Sequence, residues 1–582
     1  MSTSGRPGTL GARELPSRRE ALASAVAYAL LFAFFTREWI RVAAHSSPPG
    51  NPVPDAPYVT WILWWVAHAL TTAPSTLYDA PIFHPSPHML TASTHLLSSQ
   101  LVFAPVWAAT DNPVLAANVV SLLSYPLAAF AMDRLLRALG LGVPASWVGG
   151  LAFALGPWRV PGSNQLPQML SFFPPAVILA LVRMREAPAP RRLACFGLLL
   201  LLALFSSYYM ALLVVLAVAT WTGAELLRDR RDAGAFVARV VGIGVACSSA
   251  LLAFSLPWLR ARPAPGQVTV PVDWLWRLAW PVRGHGLELL LGLAGTAGLF
   301  RRRLRFPAGV GLALVAVGTG LLLWIAILGL PPWARPVFGF FRTFARLQIL
   351  TSFGMAILAG CALETVVERW GERPGALVAA AAGLALAWTL GPRICTPAAF
   401  DWPWNERGGR FHLQHPGTAD AAAYRRIGEI ARREGGGPLV EVGIPQWDTM
   451  VDATWHEMPL VGGFTTLWPP QYFGVLGRLG SAEGLDELVD VSHLRWVVFP
   501  PTRRWTEPVD RDRLLRDLLA RPRTRRFDVG DFTLVRLDRP PARPAWYDTL
   551  AAGRPLSDLP PEDAEAISRR KALEALGAAQ PR

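Results

Sequence analysis

Charge is scarce in this chain: Asp, Glu, Lys and Arg make up 17% of its 582 residues, against about 25% charged residues in soluble globular proteins. That shortage excludes an ordinary soluble enzyme. Lysine is almost missing, with Lys571 alone among a combined 56 lysines and arginines. Cysteine is rare too. Cys195, Cys247 and Cys361 fall inside apolar runs, where cysteine behaves as a small hydrophobe, and Cys395 stands apart. Four such residues exclude a disulfide framework, and no pair has the spacing of a thiolate zinc site. No repeat recurs at a fixed period, which excludes a solenoid. The first apolar run, Ala21 to Thr36, is followed by Arg37, Glu38 and Trp39 and by no small-residue cleavage site. It reads as an uncleaved span, not a signal peptide.

What is present is apolar: 52% of residues are hydrophobic and the mean hydropathy is +0.30. That excludes a disordered or fibrous chain. Beyond the first run, apolar stretches lie at 114–132, 143–157, 166–183, 193–206, 207–226, 235–257, 287–300, 307–330, 348–364 and 374–391. The expected architecture is a membrane all-α bundle of about eleven transmembrane helices, over 21–391. The net charge of +14 does not imply nucleic acid, because arginines gather in alternate connections. These hold Arg134 and Arg137, then Arg183, Arg185, Arg191 and Arg192, then Arg228, Arg230 and Arg231, then Arg301, Arg302, Arg303 and Arg305, and finally Arg369 and Arg373. The expectation is a bacterial inner-membrane protein with residues 1–20 cytoplasmic. Counting Thr94 to Thr110 as a span would invert every later loop. That segment is expected to lie on the outer membrane surface as an amphipathic helix.

The long first outer loop then runs over 37–113, with shorter ones at 158–165, 258–286 and 331–347. After Pro392 the sequence turns polar. Runs with strand character at Pro438 to Ile444, Arg495 to Pro500 and Phe532 to Leu537 alternate with helical stretches Ala421 to Glu434 and Asp510 to Ala520. An extracytoplasmic α/β domain is expected over 392–540, followed by a tail at 541–582.

Chemistry concentrates in the first outer loop. Asp55 sits in a Pro-rich turn before Tyr58, Trp61, Trp64, Trp65 and His68. A carboxylate there is either a general base for an acceptor hydroxyl or a cap for a helix starting near Tyr58. The tryptophans, at i, i+3 and i+4, are expected to face lipid headgroups. Asp79, His84, His88 and His95 follow, through Phe83-His84-Pro85-Ser86-Pro87-His88 and Ser93-Thr94-His95. They read as polar lining of a cavity or, less simply, as ligands of a divalent cation.

This succession of early Asp, Trp-rich helix, aromatic-His-Pro-x-Pro turn and Ser-x-His resembles a branch of the GT-C superfamily. These are multispanning glycosyltransferases that use polyprenyl-phosphate sugars. The resemblance continues at Asp111-Asn112-Pro113, Gly156-Pro157-Trp158-Arg159, Ser206-Ser207-Tyr208-Tyr209, Phe341-Arg342-Thr343-Phe344-Ala345-Arg346, Trp455-His456-Glu457-Met458-Pro459 and Leu494-Arg495-Trp496. It implies a catalytic Asp55 and a polyprenyl-phosphate-linked sugar as donor. The acceptor it implies is a glycan, lipid or protein outside the cytoplasm. Its donor phosphate would meet Arg159, Arg342 and Arg346, whose planar forks suit phosphate. Two positions depart from the pattern: Thr94 stands where the branch has Glu, and Asn164, Gln165 and Gln168 stand where it has His-x-Gln.

Plainer readings stay beside these. Arg342 and Arg346 suit snorkelling as well as phosphate. Tyr208 and Tyr209 mark a tight turn or stack on a sugar. His412, His415 and His456 lack metal-like spacing, and Trp455, Trp468 and Tyr472 form a sugar platform or a small core. Two other classes remain open, a lipid-linked glycan flippase and a non-catalytic assembly protein. The first should carry ionisable residues deep in its spans, whereas Glu288 and Arg239 lie near span ends.

Overall fold

The computed structural model describes residues 17–46, 55–157, 159, 166–257, 285–328, 344–395, 416–444, 446–463, 478–505 and 509–538. Several positions singled out above lie outside them, among them Arg342, His412, His415, Trp468, Tyr472 and the tail.

The chain opens with α1 (Arg18–Phe35), held by a reciprocal capping box between Ser17 and Glu20, then α2 (Arg37–Val42) and α3 (Asp55–Thr72). Short 3-10 turns lead to α4 (Gln100–Thr110), and Asn112 with Pro113 at the first helical position starts α5 (Pro113–Ala138). Next come α6 (Val143–Ala154), α7 (Leu166–Met169), α8 (Phe173–Glu186), α9 (Pro190–Leu204), α10 (Tyr208–Arg228) and α11 (Ala233–Phe254). The helical body closes with α12 (Gly286–Gly295), α13 (Arg305–Leu328), α14 (Gln348–Trp370) and α15 (Glu372–Leu390).

Six of the described helices, α5, α10, α11, α13, α14 and α15, are long and apolar enough to cross a membrane. The protein is a membrane-embedded helical protein, and the expected eleven spans are corrected to six by that measure. Of the five that drop out, α1 has 18 residues but carries Arg18, Arg19 and Glu20, and for the other four the reason is length. The apolar runs do form helices, but α6, α8, α9 and α12 have 12, 14, 15 and 10 residues. At about 1.5 Å per residue these fall short of a hydrocarbon core of about 30 Å. The run at 166–183 is broken between α7 and α8, and Ser207 caps α10 where α9 has ended.

Helix α14 is the axis of the body, packed on α6, α12, α13 and α15. It approaches α13 closely because Gly354 and Gly311 meet there; a Cβ on Gly354 would overlap the Gly311 carbonyl. The arginine-rich connections come together at one end. Arg185 Nη2 donates to the Arg231 carbonyl at 2.7 Å, and Arg303 bridges Glu364 and Glu368 at 3.2 and 3.0 Å while donating to the Gly140 carbonyl. Buried carboxylates are more numerous than the sequence reading allowed. Glu288 is 4% exposed, does not reach the surface, and faces His285 Nδ1 at 3.2 Å.

At the opposite end sits a four-stranded sheet, ordered β1-β2-β4-β3. It follows α16 (Ala419–Arg433) and runs β1 (Leu439–Glu441), α17 (Gln446–His456), α18 (Ala482–Ser492), β2 (Trp496–Phe499), α19 (Arg511–Leu519), β3 (Thr524–Val529) and β4 (Phe532–Leu537). β1 and β2 are parallel, joined by a crossover that contains α17 and α18, and β4 pairs antiparallel with both β2 and β3. Gly530, at φ 57°, supplies the first residue of the two-residue β3–β4 turn. Strands β1, β2 and β4 fall inside the three expected runs. β3 was not expected, because Thr524-Arg525-Arg526-Phe527-Asp528-Val529 is an edge strand whose charges face outward.

The sheet unit grips the helical body through the loop after α3. Phe83 N–H donates to Gly462 O at 3.0 Å, His84 N–H to Leu460 O at 2.9 Å, and Leu460 N–H to Pro81 O at 2.8 Å. Helix α17 packs along α3, and Arg425 on α16 pairs with Asp111.

Candidate functional site

Asp55 is the first residue of α3 and is half-buried, whereas Ala56 through Ala67 behind it are all buried. The helix therefore starts three residues earlier than expected. Asp55 lies in the first turn, where the helix dipole favours a carboxylate, and not at a cap before Tyr58. The tryptophan stripe does not face lipid. Trp61, Trp64 and Trp65 are 1%, 3% and 8% exposed, because α4, α5 and α17 enclose α3. Trp65 Nε1 donates to Leu77 O at 2.9 Å, and Gln100 Nε2 to Leu63 O at 3.1 Å. The turn after α2 is anchored as well. Asn118 Nδ2 holds the carbonyls of Ala43 and Ser46 at 2.7 and 2.8 Å, and its Oδ1 accepts from Trp39 Nε1 at 2.8 Å. The carboxylate thus rides on a rigid helix between the body and the sheet unit.

The expected lining residues separate into three places. Asp79 and His88 are exposed and paired, with His88 Nδ1 at 2.9 Å from Asp79 Oδ1 and the His88 N–H donating to the same oxygen at 3.1 Å. His84 is half-buried with its ring 6.4 Å from that of His493; burial first, and then His493, lower its pKa from the usual range. His95 is 2% exposed and packs edge-on against Tyr208 and Phe254 at 4.9 and 5.1 Å. Burial pushes its pKa down to about 3, against a smaller upward pull from the Phe205 backbone. The three histidines do not converge, and among the described residues no three His, Cys, Asp or Glu side chains are placed to hold a metal. The cation expectation finds no ligand set there, and no step below uses one.

The surroundings of His95 are nonetheless unusual. Tyr208 OH donates to Ser255 Oγ at 3.3 Å and Tyr78 OH donates to the Phe254 carbonyl, so the first loop is tied to the ends of α10 and α11. Beside them, Thr94 Oγ1, Ser98 Oγ, Ser99 Oγ and Gln100 Oε1 are buried with no hydrogen-bond partner among the described residues. Buried polar groups are ordinarily satisfied, so four such atoms within seven residues set this stretch apart.

The arginines divide too. Arg159 is 3% exposed and already spent: Nε donates to Ala154 O at 3.1 Å, Nη1 to Met169 O at 2.7 Å and Ser171 Oγ at 2.6 Å, and Nη2 to Ser124 Oγ at 3.2 Å. It clamps α5, α6 and the α7–α8 turn, so its guanidinium is engaged within the helical body. Arg346 is different. Its guanidinium lies 3.9 Å from the Tyr209 ring centre, and its buried Nε has no partner among the described residues.

One cluster was missed altogether. Glu441 on β1 and Asp452 and His456 on α17 are buried together with Tyr424 on α16. Tyr424 OH donates to Glu441 Oε2 at 2.5 Å, while Arg504 donates to Tyr424 OH and, through Nη2, to Asp452 Oδ2 at 2.7 Å. Burial, aided by their mutual repulsion, pushes Glu441 far up, and burial also raises Asp452 against the pull of Arg504. His456 falls to about 3 through burial and then Arg432. Two signals were available: a carboxylate inside the apolar run Leu439-Val440-Glu441-Val442, and Asp452 and His456 four apart on one helical face.

No family model matches the sequence, and no curated protein matches it.

The His95 environment makes a prediction of its own. The folded state holds the imidazole neutral down to about 3, whereas in the unfolded chain it protonates near 6.5. Its stabilising share is complete above that value and is lost as pH falls from about 6.5 towards 3, at about 1.4 kcal/mol per pH unit. His95→Phe keeps an aromatic ring among Phe205, Tyr208 and Phe254. Its melting temperature will fall less steeply between pH 6.5 and 4.5 than that of the wild type; an equal slope would show that His95 is not held neutral.

Proposed function

We propose that the chain is an inner-membrane glycosyltransferase of the GT-C kind. It moves a sugar from a polyprenyl phosphate to an acceptor hydroxyl outside the cytoplasm. The observation that carries the reading is the set of unpartnered buried polar groups at Thr94, Ser98, Ser99 and Gln100. They lie at the end of the connection from α3, which Asp55 begins, to α4, and a hydroxyl-rich ligand satisfies them where lipid cannot. Orientation follows from the arginine connections at the opposite end, which the positive-inside tendency places in the cytoplasm. The sheet unit and Asp55 then face outward.

In this mechanism Asp55 takes the proton from the acceptor hydroxyl as its oxygen bonds to the anomeric carbon. The bond from that carbon to the phosphate oxygen breaks, and polyprenyl phosphate leaves with the electron pair. Its developing charge is met by Arg346, whose unpartnered Nε is available for a charge-assisted hydrogen bond. Thr94, in place of the branch's Glu, contributes a hydroxyl and no charge.

The cellular test is deletion of the encoding gene followed by mass spectrometry of envelope glycolipids, polysaccharides and glycoproteins. The expected result is loss of one glycosidic linkage, restored by the wild-type chain. An unchanged glycan profile, or an intact glycan stranded on the cytoplasmic side, contradicts the reading; the latter result marks a flippase.

A further inference from the structure

Between the helical body and the sheet unit lies a cleft of about 240 Å³, lined by Trp64, Trp107, Asp111, Arg425, Arg432, Glu429, Trp455 and Glu457 together with Pro113 and Thr454. Each wall has a reason to hold still. Trp64 belongs to the enclosed α3, and Trp107 stacks on Phe103 at 6.4 Å within α4. Asp111 is fixed as the left-handed C-cap of α4, at φ 50°, directly before the Asn112 cap of α5. Arg425 pairs with Asp111 and lies 4.8 Å from the ring centre of Trp455, while Arg432 reaches Glu457 at 3.5 Å and the His456 carbonyl at 3.0 Å.

We propose that this cleft is a binding site for an uncharged saccharide. Its rim carries Asp111, Arg425, Glu429, Arg432 and Glu457, and each carboxylate has a guanidinium partner: Arg425 for Asp111, Arg432 for Glu457 and Arg426 for Glu429. An anion meets arginines that are already paired with carboxylates. A neutral ring of hydroxyls, each both donor and acceptor, bonds to both kinds of group, and charge-assisted hydrogen bonds are the stronger ones. The half-exposed indole of Trp107 offers an apolar face to the C–H side of such a ring. The volume equals that of about eight waters, at roughly 30 Å³ each, which is the scale of one sugar unit. Saccharide binding stands on the cleft alone. That the bound sugar belongs to the glycan acceptor rests on the glycosyltransferase reading.

The test uses the full chain in nanodiscs, titrated with neutral gluco-, manno-, galacto- and arabino-oligosaccharides, with a hexuronate oligomer and with inorganic phosphate, followed by saturation-transfer NMR. Glu429 makes one exposed pair, with Arg426 at 2.8 Å, so Glu429→Gln does not endanger the fold. Trp107→Leu keeps an apolar contact with Phe103. At least one neutral series is expected to bind saturably. Each variant should weaken it about tenfold or more, the effect of one hydrogen bond to a charged group or one stacked ring. The readout is binding and not turnover, which separates this result from any failure of transfer. Absence of neutral-sugar binding, a preference for hexuronate or phosphate, or indifference to both cleft variants overturns the proposal.

Discussion

Asp55→Asn will lower the rate of sugar transfer by about two to four orders of magnitude, the usual contribution of a positioned general base. The amide has the size of the carboxylate but no affinity for the proton. The loss should therefore appear in kcat with KM nearly constant, as for a group that acts only in the transition state. The fold will hardly notice. Asp55 begins a helix whose next twelve residues are buried, and the first-turn charge interaction that the substitution gives up is worth about 0.3–1 kcal/mol. Asp55→Glu keeps the charge on a longer arm and should recover part of the rate. A kcat for Asp55→Asn within threefold of wild type would remove Asp55 from the chemistry.

Arg504→Met will unfold the sheet unit at markedly lower temperature, by about 3–5 kcal/mol of lost stability, the cost of stripping one partner from a buried ion pair. Asp452 is 1% exposed and has Arg504 Nη2 at 2.7 Å, and Arg504 also donates to Tyr424 OH. Burial alone would lower the arginine's pKa, but Asp452, Tyr424 and Glu441 raise it above its ordinary value, so the charge is firmly held. Without it, Asp452 must protonate or draw in water. Adding Asp452→Asn to Arg504→Met should return a large part of the loss, because the stranded charge disappears, and a double-mutant cycle measures how much. Limited proteolysis of the sheet unit supplies the readout. If the double variant is as unstable as the sum of the single ones, the two residues are not coupled.

Much of the helical body was legible because apolar runs and arginine-rich connections are local patterns. What the pattern missed was length. The break between the runs at 193–206 and 207–226 was legible and falls where Ser207 caps α10, but the first run reads as a span although α9 has only 15 residues. The same local logic found β4 and missed β3, whose arginines are those of an edge strand. Site residues were harder to read. Arg159 and Arg346 look alike in sequence, yet one is enclosed by four donor contacts and the other lies against Tyr209. That difference depends on Ser124, Met169 and Ser171, which only the folded chain brings together. The histidines share a short segment but part company because His84 docks on Leu460 and His95 on Tyr208. The cleft and the Glu441–Asp452 cluster join residues hundreds or tens of positions apart, beyond the reach of spacing.

The most direct measurement of the central claim is turnover by the purified full chain in nanodiscs. A panel of labelled polyprenyl-phosphate sugars is supplied with envelope glycan fractions as acceptors. The account predicts that one donor is consumed, with free polyprenyl phosphate and a glycan heavier by one sugar formed in equal amounts. Donors that all stay intact, or that cross the bilayer without losing their sugar, contradict it.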